Sequence, residues 1–103
     1  MAVIYATEDS FNETIAKDIV LVDFFANWCG PCKMLSPLLD NLANSRGEIK
    51  VVKVDVDKCP KLASNYGVMS IPTLLIFKNG NLLESKTGFM SEIELTNWIN
   101  NIS

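Results

Sequence analysis

The run Ile19-Val20-Leu21-Val22-Asp23-Phe24-Phe25-Ala26 constrains the fold more than any other stretch of this chain. Its β-branched and aromatic residues do not alternate with polar ones, which is the pattern of a strand covered on both faces. Such a strand belongs in the middle of a sheet with other elements layered above and below it, and its pattern alone predicts a central parallel strand. One carboxylate, Asp23, interrupts the run. Burying an ionised carboxylate is costly, so the position predicts a raised pKa and a group able to hold or release a proton near neutral pH. That suits a general acid–base; the other reading is a strand-end aspartate turned to solvent.

Directly after the run comes Asn27-Trp28-Cys29-Gly30-Pro31-Cys32-Lys33. Two cysteines at this spacing can close a small disulfide ring or act as a dithiol. Gly30-Pro31 is turn chemistry, and proline suits the first turn of a helix. The residues that follow predict an amphipathic helix from Cys29 towards Ser45, kinked at Pro37 and stopped near Gly47. Cys29 then sits at the helix N-terminus, where unpaired N–H groups and the macrodipole favour a thiolate.

The remaining elements alternate around this pair. Ala2–Ala6 reads as a short edge strand, and Ser10 with Glu13 has capping-box spacing for a helix over about Glu8–Lys17 carrying Phe11 and Ile15. Lys50–Asp57 alternates as a strand with Val52, Val54 and Val56 on one face and Lys53 on the other. Asp57 is placed to cap a helix over Cys59–Tyr66, with Pro60 near its start and Gly67 at its end. Thr73–Lys78 and Leu82–Thr87 read as strands joined by the hairpin dipeptide Asn79-Gly80. Ser91 and Glu94 open a last helix with an apolar stripe of Ile93, Leu95, Trp98, Ile99 and Ile102. Alternation at the front predicts parallel strands with right-handed crossovers, and the hairpin adds antiparallel ones.

Composition narrows the function classes. A chain of 103 residues, 49% hydrophobic and 20% charged, fits one globular domain over 1–103. Its net charge of -3 and its scattered lysines argue against nucleic acid as a partner. No apolar stretch is long enough to span a membrane, and Met1-Ala2-Val3-Ile4-Tyr5 lacks the charged start of a signal peptide. With 3 cysteines and no histidine, the chain lacks the four ligands of a structural zinc site, so no metal is expected.

The segment Val22-Asp23-Phe24-Phe25-Ala26-Asn27-Trp28-Cys29-Gly30-Pro31-Cys32-Lys33 resembles the active-site segment of the thioredoxin family. Asp55-Val56-Asp57, Ile71-Pro72-Thr73-Leu74, Phe77-Lys78-Asn79-Gly80 and Gly88 follow in that family's order and spacing, so the resemblance covers essentially the whole chain. It implies an α/β fold with a five-stranded mixed sheet of order 1-3-2-4-5 flanked by four helices. It also implies a cytoplasmic, monomeric protein-disulfide reductase that needs no cofactor beyond its cysteines. Electrons would come from NADPH through a thioredoxin reductase and pass to disulfide-containing proteins. Phe25 stands where the family usually has a second tryptophan, and Ser70 where many members have glycine.

The resemblance assigns Cys29 as nucleophile, Cys32 as resolving cysteine and Asp23 as the proton acceptor for Cys32, with Lys53 moderating the Asp23 charge. It makes the Ile71–Pro72 bond cis and sets it against the cysteines, with Gly30 and Pro31 shaping the site. Trp28, Ile71, Gly88 and Phe89 form a substrate-facing rim. Ordinary readings stand beside these: Cys32 a buried apolar cysteine, Lys53 a solvated strand lysine, Trp28 a core aromatic, Gly30 and Gly88 turn residues, Phe89 and Met90 packing residues. Cys59, beside Lys58 and Lys61, is either a bystander or a thiol of lowered pKa open to modification. Two other functions fit the same motif: a disulfide oxidase or isomerase, and a binding module that docks partners through the rim.

Overall fold

The computed structural model, in which residues 3–102 are described, runs β1 (Ile4–Tyr5), α1 (Phe11–Thr14), β2 (Ile19–Phe25), α2 (Gly30–Ser45), β3 (Ile49–Asp55), α3 (Pro60–Asn65), β4 (Thr73–Lys78), β5 (Asn81–Thr87) and α4 (Glu92–Asn100). The strands form a five-stranded sheet in the order β1-β3-β2-β4-β5, as expected. β2 lies at its centre, but it is not surrounded by parallel neighbours. It pairs parallel with β3 and antiparallel with β4. Coverage of both faces explains its apolar run; the direction of its neighbours is set by the connections, which the run does not encode.

Side chains alternate across β2 and divide the core into two layers. On one face Leu21, Val51, Leu74 and Ile76 pack beneath Leu35, Leu39 and Leu42 of α2 and Leu95, Trp98 and Ile99 of α4. On the other, Val20, Val22, Phe24, Val52 and Phe77 pack against Phe11 of α1 and Leu62 of α3. Tyr66 joins this second layer, its ring centroid 5.5 Å from that of Phe11 and 5.7 Å from that of Phe77. Asp23, two residues beyond Leu21, therefore falls on the α2 side.

Several local expectations change. The predicted first strand shortens to Ile4–Tyr5, and its Ala2 lies outside the described residues. The predicted helix over Glu8–Lys17 contracts to the single turn of α1, and the capping box does not form. The Ser10 hydroxyl instead accepts from the Thr7 N–H at 2.9 Å, a local turn that competes with the cap. β3 stops at Asp55, leaving Val56 in the following turn. Asp55, not Asp57, receives the N–H groups of Asp57 and Lys58 ahead of α3, at 2.8 and 3.3 Å. Ser91 and Glu94 do form the capping box of α4, but Ile93 is 74% exposed and leaves the apolar stripe. The hairpin is as expected, with Asn79 and Gly80 at φ 50° and 85°, the left-handed pair that a tight turn between twisted strands requires.

The contrast between Phe11 and Ile93 gives a direct check. Phe11→Ala removes a fully buried ring and should lower unfolding free energy by about 3–4 kcal/mol in urea denaturation. Ile93→Ala should stay within about 0.5 kcal/mol of the parent. Equal losses would mean that the apolar stripe read from the sequence describes the packing better than this structure does.

Candidate active site

Cys29 is the N-cap residue of α2 and Cys32 lies in its first turn, because Gly30 and Pro31 let the chain leave β2 and enter the helix at once. The two sulfurs are joined in a disulfide, with Cα atoms 5.3 Å apart. The Cys32 N–H points at the Cys29 sulfur at 3.2 Å, so one of the helix's first-turn amides faces that sulfur. Both cysteines are buried, at 5% and 3% exposure, and pack with Phe25, Ala26, Val56 and Ile71.

The loop before β4 closes over this ring. The Ile71–Pro72 peptide bond is cis, and the Ile71 carbonyl oxygen lies 3.9 Å from the Cys29 sulfur. The Pro72 carbonyl accepts the Gly88 N–H at 2.8 Å, tying the end of β5 to the same loop. Gly88 has φ 98°, a left-handed conformation that favours glycine, so its small size follows from backbone geometry. Trp28 is 70% exposed and not a core aromatic; its indole N–H donates to Asp57 Oδ2 at 2.9 Å. Gly30 and Pro31 are exposed, Ile71 and Gly88 half-buried, and Phe89 is 43% exposed, whereas Met90 turns into the core.

On the α2 face of β2, Asp23 has no exposed surface, and neither carboxylate oxygen has a hydrogen-bond partner among the described residues. Burial pushes its pKa up to about 7, against a smaller downward pull from the Lys53 cation. Lys53 is its register partner on β3 and is also buried, at 5% exposure, so it is not a solvated strand lysine. It makes no ion pair with Asp23 among the described residues; its ammonium donates to Ser36 Oγ at 2.8 Å and lies 4.9 Å from the centroid of the Phe25 ring. A groove of about 690 Å³ opens beside this cluster, lined by Tyr5, Phe25, Cys32, Ser36, Lys53 and Cys59 among others.

For Cys59 the structure favours the bystander of the two readings. This cysteine is 3% exposed, and burial foremost, with Glu8 and Asp55 nearby, raises its thiol pKa instead of lowering it. Lys58 acts in the opposite direction but is outweighed. Sequence reading also missed Ser36 and Tyr5 as neighbours of Lys53. Ser36 carried a signal, since it stands four positions after Cys32 and so on the same helix face; Tyr5 carried none.

The Asp23 carboxyl has a pH signature of its own. Its pKa is higher folded than unfolded, so the folded state binds this proton more tightly. The resulting stability is fully present below pH 3.8, is lost as pH rises towards about 7, and stays lost above it. Relative to Asp23→Asn, the parent should therefore weaken by about 4 kcal/mol between pH 4 and pH 8 in denaturant unfolding of the oxidised protein. A constant difference between the two proteins across that range would mean that Asp23 is not buried as described.

Comparison with known proteins agrees with this geometry. A family model described as Thioredoxin matches residues 2–101. The Thioredoxin of Bacillus subtilis (strain 168) is 46% identical over 101 residues, 97% of each chain. That of Rickettsia felis is 45% identical over 97 residues, 91% of this chain and 92% of its own. The Thioredoxin of Listeria monocytogenes is 45% identical over 95 residues, with the same shares. With a five-stranded sheet of the expected order, a Cys29–Cys32 disulfide at a helix start and this likeness along its length, the chain is a thiol-disulfide oxidoreductase and belongs to the thioredoxin family.

Proposed function

We propose that the chain works as a single domain over residues 1–103, a cytoplasmic, monomeric protein-disulfide reductase that cycles between the Cys29/Cys32 dithiol and its disulfide. The observation that carries this reading is the closed cysteine pair at the start of α2, on a chain whose preceding strand β2 holds a buried, unpartnered carboxyl. In the reduced protein the Cys29 thiolate attacks one sulfur of a target disulfide; the target S–S bond breaks and a Cys29–target bond forms. The departing target sulfur takes a proton from water. Asp23 then accepts the Cys32 proton, and the Cys32 thiolate attacks Cys29, expelling the second target sulfur and leaving the Cys29–Cys32 disulfide. Electrons return from NADPH through a thioredoxin reductase, so the cysteines are the whole redox group and no metal or organic cofactor takes part.

The roles of the surrounding residues follow from chemistry. A carboxyl of pKa about 7 is half ionised at neutral pH and well matched to taking a proton from a thiol. Lys53 moderates that charge. Gly30 and Pro31 keep the turn small, and Pro72 presents the Ile71 backbone to an extended target peptide. Trp28, Ile71, Gly88 and Phe89 make a rim over which such a peptide lies. A cytoplasmic setting suits a chain with a redox pair and a free, buried Cys59. No helix among the described residues is long and apolar enough to cross a membrane.

Turnover of NADPH with a thioredoxin reductase and insulin as disulfide substrate tests the reading. Cys29→Ser should abolish turnover, and Cys32→Ser should stall at a mixed disulfide visible by non-reducing mass spectrometry. Asp23→Asn should slow release of the reduced target at pH 7 by roughly a hundredfold, the lower end for general acid–base catalysis. Failure to turn over with a reductase active on another thioredoxin would favour the binding module.

A further inference from the structure

We infer that Ser36 is a positioning residue: its hydroxyl anchors the Lys53 ammonium against α2, beside the groove, and keeps it from pairing with the Asp23 carboxylate. Adjacent Cα positions in the β2–β3 register put Asp23 and Lys53 side by side on the sheet face under α2. A buried carboxylate with no hydrogen bond attracts a neighbouring cation strongly, and a lysine stem is long and flexible enough to answer. Yet no ion pair joins them among the described residues.

What holds the ammonium elsewhere is on the page. Its N–H donates to Ser36 Oγ at 2.8 Å, and its charge lies over the Phe25 ring at 4.9 Å and the Tyr5 ring at 5.8 Å. The aromatic faces attract a cation without directing it to one point, whereas the hydroxyl fixes a position. Ser36 sits one turn after Cys32 on the same face of α2, so the anchor and the sulfur move together. The other groups packed around Asp23 offer no competing charge. β4 places Leu74 in register with it, and α4 brings only Leu95, Trp98 and Ile99 to that layer. The buried face of α2 near the site is Cys32, Leu35 and Leu39, of which only the Cys32 thiol titrates, and only when reduced. Lys53 is the charge that acts on Asp23.

The consequence for exchange rests on Asp23 being the proton acceptor for Cys32, and the two ideas separate experimentally. In the oxidised protein neither active-site sulfur titrates, so the ¹³C-carboxyl resonance of Asp23 followed against pH reports the carboxyl alone. Ser36→Ala should let Lys53 close on Asp23 and lower the titration midpoint by about one unit or more, the effect of an opposite charge brought within ion-pairing range. Ser36→Thr keeps the hydroxyl and should titrate like the parent. Lys53→Met should raise the midpoint, and adding Ser36→Ala to it should change nothing further, since the anchored group is gone. An unchanged or raised midpoint in Ser36→Ala overturns the inference. The pH profile of insulin reduction by Asp23→Asn tests the other idea: a profile identical to the parent's removes Asp23 as acceptor whatever Ser36 does.

Discussion

Coverage of β2 on both faces is the constraint on which the remaining architecture depends. A strand carrying Val20, Leu21, Val22, Phe24 and Phe25 has apolar area on two sides, and the chain must supply a layer for each. α2 and α4 furnish one, α1 and α3 the other. Each such side chain contributes about 1.5–3 kcal/mol when buried. That is comparable with the roughly 4 kcal/mol by which burial, raising the Asp23 pKa from 3.8 to about 7, disfavours the ionised carboxylate in the same strand. Burial of its immediate neighbours Val22 and Phe24, together about 3–6 kcal/mol, is of the same size as that cost.

The same strand places the redox pair. β2 ends at Phe25, and α2 begins at Gly30, so the sulfurs stand just past the end of the central strand with the helix amides aimed at Cys29. The loop carrying cis Pro72 enters β4, the other neighbour of β2, and so meets the cysteines from the far side. The site is thus assembled from elements that adjoin the central strand, not from distant loops.

What was legible in the sequence was whatever is fixed by local chemistry. The apolar run of β2, the Asn79-Gly80 hairpin, the Ser91/Glu94 capping box and the helix start at Cys29 each follow from residues within a few positions of one another. Where two local partners competed, the wrong one was chosen: Ser10 pairs with Thr7 instead of capping α1, and Asp55 with the turn that Asp57 was expected to cap. Ile93 lies on the exposed side because it stands two and five positions from the buried Leu95 and Trp98, about 200° and 140° around the helix from them, so it never shared their face. Cys59 stayed open between two readings because its flanking lysines are local, whereas the burial that raises its pKa is tertiary. The cis bond came from family resemblance, since no spacing rule encodes it, and the roles proposed for Asp23 and Lys53 have the same source.

The exchange cycle proposed above needs its two sulfurs in different states, and one helix amide faces Cys29. Cys29 must be a thiolate before a target arrives, and a helix N-terminus stabilises that charge continuously. In that proposed cycle Cys32 needs a base only at the moment it attacks. The strength of that base is a compromise. A carboxylate ion-paired with Lys53 would be ionised at every physiological pH but too weak to draw a proton from a thiol. A carboxyl buried with no cation nearby would stay protonated and accept nothing. Holding the ammonium close enough to act on Asp23, yet bound to Ser36 and faced by Phe25, sets the carboxyl between those limits. The distance between a lysine and an aspartate in adjacent strands is thus governed from a helix that neither belongs to, by a residue one turn beyond the sulfur that uses the result.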